Sequence, residues 1–258
     1  MLPIQRHREI LNRIQVSGIV RVSELARSLA VTEETIRRDL DKLETDGKLM
    51  RTYGGATAVG DQYRELPFEQ RSSINLDQKQ SIAVCAVSYV SEGDVVALDA
   101  SSTACEMAMV LRDMPLTLVS NSVTVCSAAS SQSRLTVVST GGTLDRPSMS
   151  YIGMLAEDAL EGFHIGKLFM SSKGIDIERG LSVADESHAR IKKRMIELAD
   201  TVYLVADSSK FGLRAARFFA SIREIDVLIT DQQAAPDYID QIRDAGVEVV
   251  LAEHRSRS

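Results

Sequence analysis

The 258-residue sequence predicts an α/β protein, an N-terminal winged helix-turn-helix joined to a larger C-terminal Rossmann-like α/β domain. Three observations predict it. Two short amphipathic segments flank a tight turn at Ala30-Val31-Thr32. A turn at Asp46-Gly47 and a strand-like run from Lys48 to Tyr53 follow them, and the chain bends again at Gly54-Gly55. From Asp94 onward, short runs rich in β-branched residues alternate with amphipathic helices, the pattern of a mostly parallel sheet covered on both faces.

The first element is a helix from Gln5 to Gln15, with Ile10, Leu11 and Ile14 inward and Gly18 ending it. Ile19 to Val22 reads as a short strand, and Ser23 to Ala30 as a helix with Leu25, Ala26 and Leu29 on its apolar side. After the turn, Thr32 is placed to cap the next helix, and Glu33 and Glu34 suit the positive end of its dipole. Ile36, Leu40 and Leu43 recur at i, i+4 and i+7 and make one buried stripe. On a wheel of about 100° per residue, Glu34, Arg38, Asp41 and Lys42 point away from the stripe, and Thr35 and Arg37 flank it. Two helices around so brief a turn, followed by a hairpin, describe a winged helix.

Arg37 and Arg38 set two guanidinium forks near the start of an exposed helix, suited to phosphates or guanine edges. The competing reading is a solvated face on which Asp39 and Asp41 neutralise them. The helix-turn-helix context favours DNA. Ser23, Thr32, Glu34, Thr35, Arg37 and Arg38 are the candidate reading and positioning residues, and Lys42, Lys48 and Arg51 the backbone contacts.

Net charge is −6, but it is unevenly placed. Residues 1–55 carry ten Lys/Arg against eight Asp/Glu, net +2, which leaves −8 for the remainder. A +2 domain alone binds DNA weakly, because affinity grows with the phosphates neutralised. A homo-oligomer, dimer or tetramer, is therefore expected to present two such domains to double-stranded operator DNA. Hydrophobic content of 44% and charged content of 26% fit a soluble globular chain. The sequence holds no membrane-length apolar run and no secretory leader, so a cytoplasmic protein without a membrane partner is expected. Cys85, Cys105 and Cys126 lack metal or redox spacing and read as reduced, buried thiols; no metal or cofactor is expected.

Residues 1–56 are assigned to the DNA-binding domain, 57–76 to a polar linker without periodicity, and 77–258 to an effector-binding domain. In the last, a helix from Asp77 to Val90 precedes strands at 94–98, 116–119, 135–138, 167–170, 201–206 and 247–251, with Phe218-Phe219 and 226–230 two further possible strands. Helices are expected over 103–111, 122–129, 152–160, 186–199 and 236–245. Ligands of such sheets bind beyond the carboxyl ends of the strands. Five consecutive strand ends carry small hydroxyls, glycines, or a lysine with an aspartate. They supply Asp99, Ser101, Ser102 and Thr103; Ser120, Asn121 and Ser122; Gly141 and Gly142; Lys173 and Asp176; and Asp207 and Lys210. Hydroxyls and amides at a helix N-terminus suit a phosphate, Lys210 or Lys173 could neutralise it, and Asp99, Asp176 or Asn121 could hold sugar hydroxyls.

The run through Thr35-Ile-Arg-Arg-Asp-Leu40 and Gly54-Gly-Ala56 closely resembles the N-terminal domain of the DeoR family of bacterial transcriptional regulators. The likeness continues at Ser120-Asn121-Ser122, Gly141-Gly142-Thr143, Gly174-Ile-Asp176 with Gly180, and most strongly Ala206-Asp-Ser-Ser-Lys-Phe-Gly212. It implies a sensor domain similar to ribose-5-phosphate isomerase and the CoA-transferase-like group, with a phosphorylated sugar or sugar-alcohol as effector. It also implies a repressor of a carbohydrate uptake or catabolism operon. Ser101 stands where the family more often has glycine. The alternative is a sugar-phosphate isomerase-like enzyme with an appended DNA-binding domain. The isomerases' Asp-Gly-Ala-Asp-Glu run is absent, and His7, His164, His188 and His254 are dispersed, with His188 read as a surface helix residue. Asp207, Lys210 and Glu186 could be a residual catalytic trio.

Overall fold

The computed structural model describes residues 1–17, 19–52, 54–59 and 65–253. The expected helix stop at Gly18, the strand end at Tyr53, Gly60 of the linker and His254 lie outside the described residues.

The N-terminal domain is built from α1 (Pro3–Ser17), β1 (Ile19–Arg21), α2 (Val22–Leu29), α3 (Glu33–Thr45), β2 (Leu49–Thr52) and β3 (Gly55–Ala58). Thr32 caps α3, its hydroxyl accepting from Thr35 N at 3.2 Å. The turn before it passes through Ala30 in the left-handed region, φ 53°. Ile10, Ile14, Leu25, Leu29, Ile36, Leu40, Leu43 and Leu49 close into one core, so the stripe read from α3 is buried as expected. The wing is an antiparallel sheet in the order β1-β3-β2. Gly55 permits it, because a Cβ there would lie 1.9 Å from the Val20 carbonyl oxygen. Strand β3 runs past residue 56, where the linker was expected to begin.

The 57–76 stretch also contains a helix, α4 (Phe68–Ser73), followed directly by α5 (Leu76–Val87). Six residues are too few for a helical period to register in sequence. The chain continues through β4 (Val95–Leu98), α6 (Ser102–Val110), β5 (Leu116–Ser120), α7 (Val123–Ala129) and β6 (Leu135–Ser139). A hairpin, β7 (Thr143–Asp145) and β8 (Ser150–Ile152), precedes α8 (Met154–Leu160) and β9 (Ile165–Met170). Then come β10 (Gly174–Asp176), β11 (Gly180–Val183), α9 (Glu186–Glu197), β12 (Ala199–Val205), β13 (Arg217–Ala220), β14 (Val227–Asp231), α10 (Pro236–Asp244) and β15 (Glu248–Ala252).

Seven strands form one parallel sheet in the order β15-β14-β12-β9-β4-β5-β6. Side chains alternate across it. Leu168, Met170, Val202 and Leu204 pack with α8, α9 and α10 on one face. Val96, Leu118, Phe169 and Val205 pack with α5, α6 and α7 on the other. Burial on both faces explains why these strands read as continuous apolar runs. Winding proceeds from β4 outward to β6 on one side, and from β9 outward to β15 on the other. The reversal lies between β4 and β9, where carboxyl ends part and leave a crevice. A second sheet, β10-β11-β13, was only partly anticipated; its strands are three or four residues long, and β10 and β11 each open on a glycine, which reads as turn.

Candidate DNA-reading face and ligand cavity

On α3, Arg37 and Arg38 are exposed, with side-chain accessibilities of 51% and 79%. Each pairs one turn back, Arg37 with Glu33 at 2.7 Å and Arg38 with Glu34 at 3.1 Å. These exposed i,i+4 pairs are weak and exchange readily for phosphate. Ser23, Thr32, Glu34, Lys42 and Lys48 are exposed as well, and Thr35 is half-buried. The alternative in which Asp39 and Asp41 neutralise the arginines is corrected. Asp39 is buried against α1, bonded to Arg6 and to His7 Nε2 at 2.9 Å, and Asp41 lies 3.4 Å from Arg51. Arg51 departs from the picture of a free backbone contact. It is half-buried, and it shares a cleft with Lys173 and Arg214 of the larger domain.

At the crevice between β4 and β9 lies a cavity whose polar floor begins with Asp99. This carboxylate, 1% exposed, accepts from Ser101 N at 3.0 Å and Ser171 N at 2.9 Å, and pairs with the Lys192 ammonium. Beside it, Ser101 caps α6 through Ala104 N at 3.1 Å. Its φ of −83° is ordinary for any residue, so the serine at this position imposes no backbone strain. The first amides of α6, at Ser102 and Thr103, make no hydrogen bond among the described residues, and the open amides of a helix start suit an anion. Ser172 Oγ and Asn121 Oδ1 line the same cavity and are buried without a hydrogen-bond partner among the described residues.

Five cationic side chains line the cavity, Arg71, Lys79, Lys173, Lys192 and Lys210, against two carboxylates, Glu65 and Asp99. Lys79 is 3% exposed and donates to the carbonyls of Arg71 and Ile74. Burial, and then the neighbouring Lys210 ammonium, push its pKa down to about 8. Part of the wall comes from outside the sheet domain: Thr57 of the wing strand β3, then Glu65, Leu66, Arg71 and Ile74 of the connecting stretch.

Residues 6–62 match the DeoR-like helix-turn-helix domain and residues 74–232 the DeoR C terminal sensor domain. The chain belongs to the DeoR family. It is similar to the uncharacterised HTH-type transcriptional regulator YulB of Bacillus subtilis, at 42% identity over 249 residues and 96% of each chain. It is also similar to a putative aga operon transcriptional repressor of Escherichia coli, at 34% identity over 96% of this chain and 93% of that one. An L-fucose operon activator of Haemophilus influenzae is 34% identical over 90% and 93% of the two chains. Among solved structures, ribose 5-phosphate isomerase A of Methanocaldococcus jannaschii aligns at a TM-score of 0.40 and 17% identity, covering 53% of this chain and 55% of that one, too partial a likeness to bear on activity.

Of the residues expected at the effector site of this DeoR-family chain, Asp99, Ser101, Ser102, Thr103, Asn121, Lys173 and Lys210 do line the cavity. The others serve the fold. Ser120 Oγ donates to Leu98 O at 2.7 Å, tying β5 to β4. Ser122 caps α7 through Val125 N at 3.2 Å, and the next amide is taken by Met149 O. Gly141 and Gly142, φ 62° and 114°, turn the chain beyond the edge strand β6, where a Cβ on Gly142 would press on Ala156 at 3.0 Å. Asp176 holds the turn amides of Glu178 and Arg179 and pairs with Arg214 at 2.5 Å. Asp207 is buried outside the cavity and is bonded to Asn75 and Ser209. The trio of Asp207, Lys210 and Glu186 is not assembled, since Glu186 is exposed and pairs with Arg217.

Ser171 and Ser172, in the polar loop after β9, line the cavity too, as do Arg71, Lys79, Ser148 and Lys192, which carried no expectation, and His188, which was expected on the surface. The His188 side chain is 12% exposed and faces the cavity. Its Nδ1 lies 2.6 Å from Asp185 Oδ2 and its Nε2 3.1 Å from Ser148 Oγ. Asp185 also caps α9, and its bond to His188 holds its carboxyl below the usual carboxylate range. This Asp-His-Ser chain is not a primed nucleophile. The Ser148 hydroxyl lies 2.5 Å from Asp145 Oδ2, so its proton is already committed there. One signal was available: His188 and Lys192 stand at i and i+4 and share a helix face.

Proposed function

We propose that this chain is an operator-binding repressor of a carbohydrate uptake or catabolism operon, and that a phosphorylated sugar or sugar-alcohol releases it from DNA. One observation carries the effector reading: the cationic cavity at the β4/β9 reversal, lined by the start of α6 and by Asn121 and Ser172 oxygens that have no partner among the described residues. Amides and ammonium groups suit a phosphate, and an amide oxygen that only accepts suits a ligand hydroxyl. The names of the aga operon and L-fucose operon relatives support a carbohydrate operon.

In this reading Thr32, Thr35, Arg37 and Arg38 enter or border the major groove, with Ser23 and Glu34 at its rim and Lys42 and Lys48 on the backbone. A homo-oligomer supplies the two half-site contacts that one weakly basic domain lacks. The chain itself acts as a switch and not as an enzyme. Release requires the effector to prefer one arrangement of the two domains. The wing and connector residues in the cavity wall supply a route, because a ligand touching them touches the attachment of the DNA-binding domain.

The test is fluorescence anisotropy of the purified protein on DNA from its own promoter, with and without a panel of sugar phosphates. Tight, salt-sensitive binding relieved by one compound is expected. A Lys210→Ala variant should still bind DNA and lose the response. No binding at low salt would remove the operator reading, and turnover of a sugar phosphate would restore the enzyme alternative.

A further inference from the structure

Arg71 and Glu65 form an ion pair where the connector meets the cavity, in the stretch between the two matched family domains. Arg71 Nε lies 3.1 Å from Glu65 Oε1 and 3.1 Å from Leu66 O. Among the described residues the two terminal nitrogens reach only the carbonyls of Ala100 and Ser148, each at 3.4 Å. That is the weak end of N–H···O distances. The terminal edge of the fork, the part that pairs bidentately with an oxyanion, is therefore lightly engaged at the cavity. Ala100 immediately precedes the cap of α6, so the fork reaches the backbone at the start of the helix whose Ser102 and Thr103 amides have no partner among the described residues. Ser172 Oγ and Asn121 Oδ1, in residues 6% and 2% exposed, line the same space without partners among the described residues.

We propose that Arg71 is an anion-binding residue of the effector site, and that Glu65 is a resident carboxylate displaced from it by a phosphomonoester. The inference rests on the effector reading above and deepens it. A phosphate dianion offers two oxygens to the Arg71 fork and a third to the α6 amides. A hydroxyl elsewhere on the ligand donates to Asn121 Oδ1. Two anions crowding one guanidinium repel each other, so the bound phosphate expels Glu65. Glu65 is only seven residues beyond the end of β3, and its release loosens the connector next to the wing. Ligand recognition and domain release thus meet in a single ion pair.

Isothermal titration of the full-length protein with inorganic phosphate and with glycerol 3-phosphate, in wild type, Glu65→Gln and Arg71→Lys, tests this. Glu65→Gln keeps the side-chain shape and removes the competing charge, so phosphate affinity should rise about three- to tenfold. Arg71→Lys keeps the charge and removes the fork, so affinity should fall about tenfold. Operator affinity of Glu65→Gln without ligand should fall toward that of ligand-bound wild type. Phosphate binding to wild type with Glu65→Gln and Arg71→Lys unchanged would overturn the Arg71 assignment and leave the effector reading standing. No binding of either phosphate by wild type would overturn both. Should Arg71→Lys fold poorly, the direction of the Glu65→Gln shift decides alone.

Discussion

The guanidinium of Arg21, at the end of β1, lies 3.8 Å from the buried carboxylate of Asp207, beyond the end of β12. The same guanidinium donates to Ser208 Oγ at 2.9 Å and to Gln233. A residue flanking the helix-turn-helix is thus seated on the larger domain. Burial opposes ionisation of Asp207, but Lys210, the Ser209 hydroxyl, Lys79 and Arg21 outweigh it and hold the carboxyl below its usual range. On that one turn, Ser208 faces the DNA-binding domain and Lys210 faces the ligand cavity.

This contact leads to a first prediction. Arg21 immediately precedes α2, the helix that in helix-turn-helix proteins crosses the phosphate backbone. Held by Asp207, it is withdrawn from that task. Asp207→Asn and Gln233→Ala, both on the larger domain, should raise ligand-free operator affinity about fivefold, equivalent to about 1 kcal/mol. Anisotropy titrations check it. An unchanged Kd in both variants would reduce the contact to packing.

A second prediction concerns Arg38, the most exposed of the two recognition arginines. Arg38→Ala should weaken operator binding at least about tenfold, since one base or phosphate contact of this kind is worth about 1–3 kcal/mol. Its thermal midpoint should not move, because the lost Glu34 pair is solvent-exposed. Retained affinity would mean that α3 presents a different face to DNA.

The third concerns Asp39. Burial works against its ionisation, but hydrogen bonds from Arg6 and His7 overcome this and hold the carboxyl below the ordinary carboxylate range. A depressed carboxyl stabilises the fold above its unfolded-state pKa, near 4, and that contribution disappears as pH falls through the lower folded value. Asp39→Asn leaves Arg6 buried without its counter-ion and should cost about 3 kcal/mol at neutral pH. Urea melts between neutral and acid pH should show wild type and variant converging as the acid limit is approached.

The fourth concerns pH at the cavity. Lys79 titrates near pH 8 in the folded chain, below its unfolded value of 10.5. Between those values the unfolded state binds more protons, so this residue makes the fold more stable as pH rises. Phosphate affinity should move the other way, because the cavity loses a positive charge as pH passes about 8. Calorimetric titrations from pH 7 to 9 should show that decline in wild type and a flatter profile in Lys79→Gln. Equal slopes in the two proteins would remove Lys79 from the electrostatics of the site.

Much of this was readable residue by residue. Ile36, Leu40 and Leu43 announced the buried side of α3, and Thr32 announced its start. The serine and lysine loops after β4, β9 and β12 announced which edge of the sheet would hold polar groups. Ser120, Ser122, Gly141 and Gly142 carried the same local signature yet serve as ties, caps and turns. Sequence cannot separate a hydroxyl that caps a helix from one that meets a ligand, because both need the same residue at the same place. Arg71, Lys79 and Lys192 lacked any such signature. They lie on helices, where a basic residue reads as solvated surface until its neighbours are known.

The sequence by itself determined the elements and their classes: a winged helix, then a parallel sheet with helices on both faces. Helical and strand periodicity, caps and turn residues are local, and local chemistry sets them. Tertiary structure alone decided the strand order, which puts the reversal between β4 and β9 and leaves the ends of β5 and β6 to one side. It also turned Asp39 toward Arg6, seated Arg21 on Asp207, and brought Arg71 to the α6 N-terminus. Those relationships join residues 29 to 186 positions apart. They follow from how buried surfaces and charges are satisfied across the whole chain, which no local pattern records.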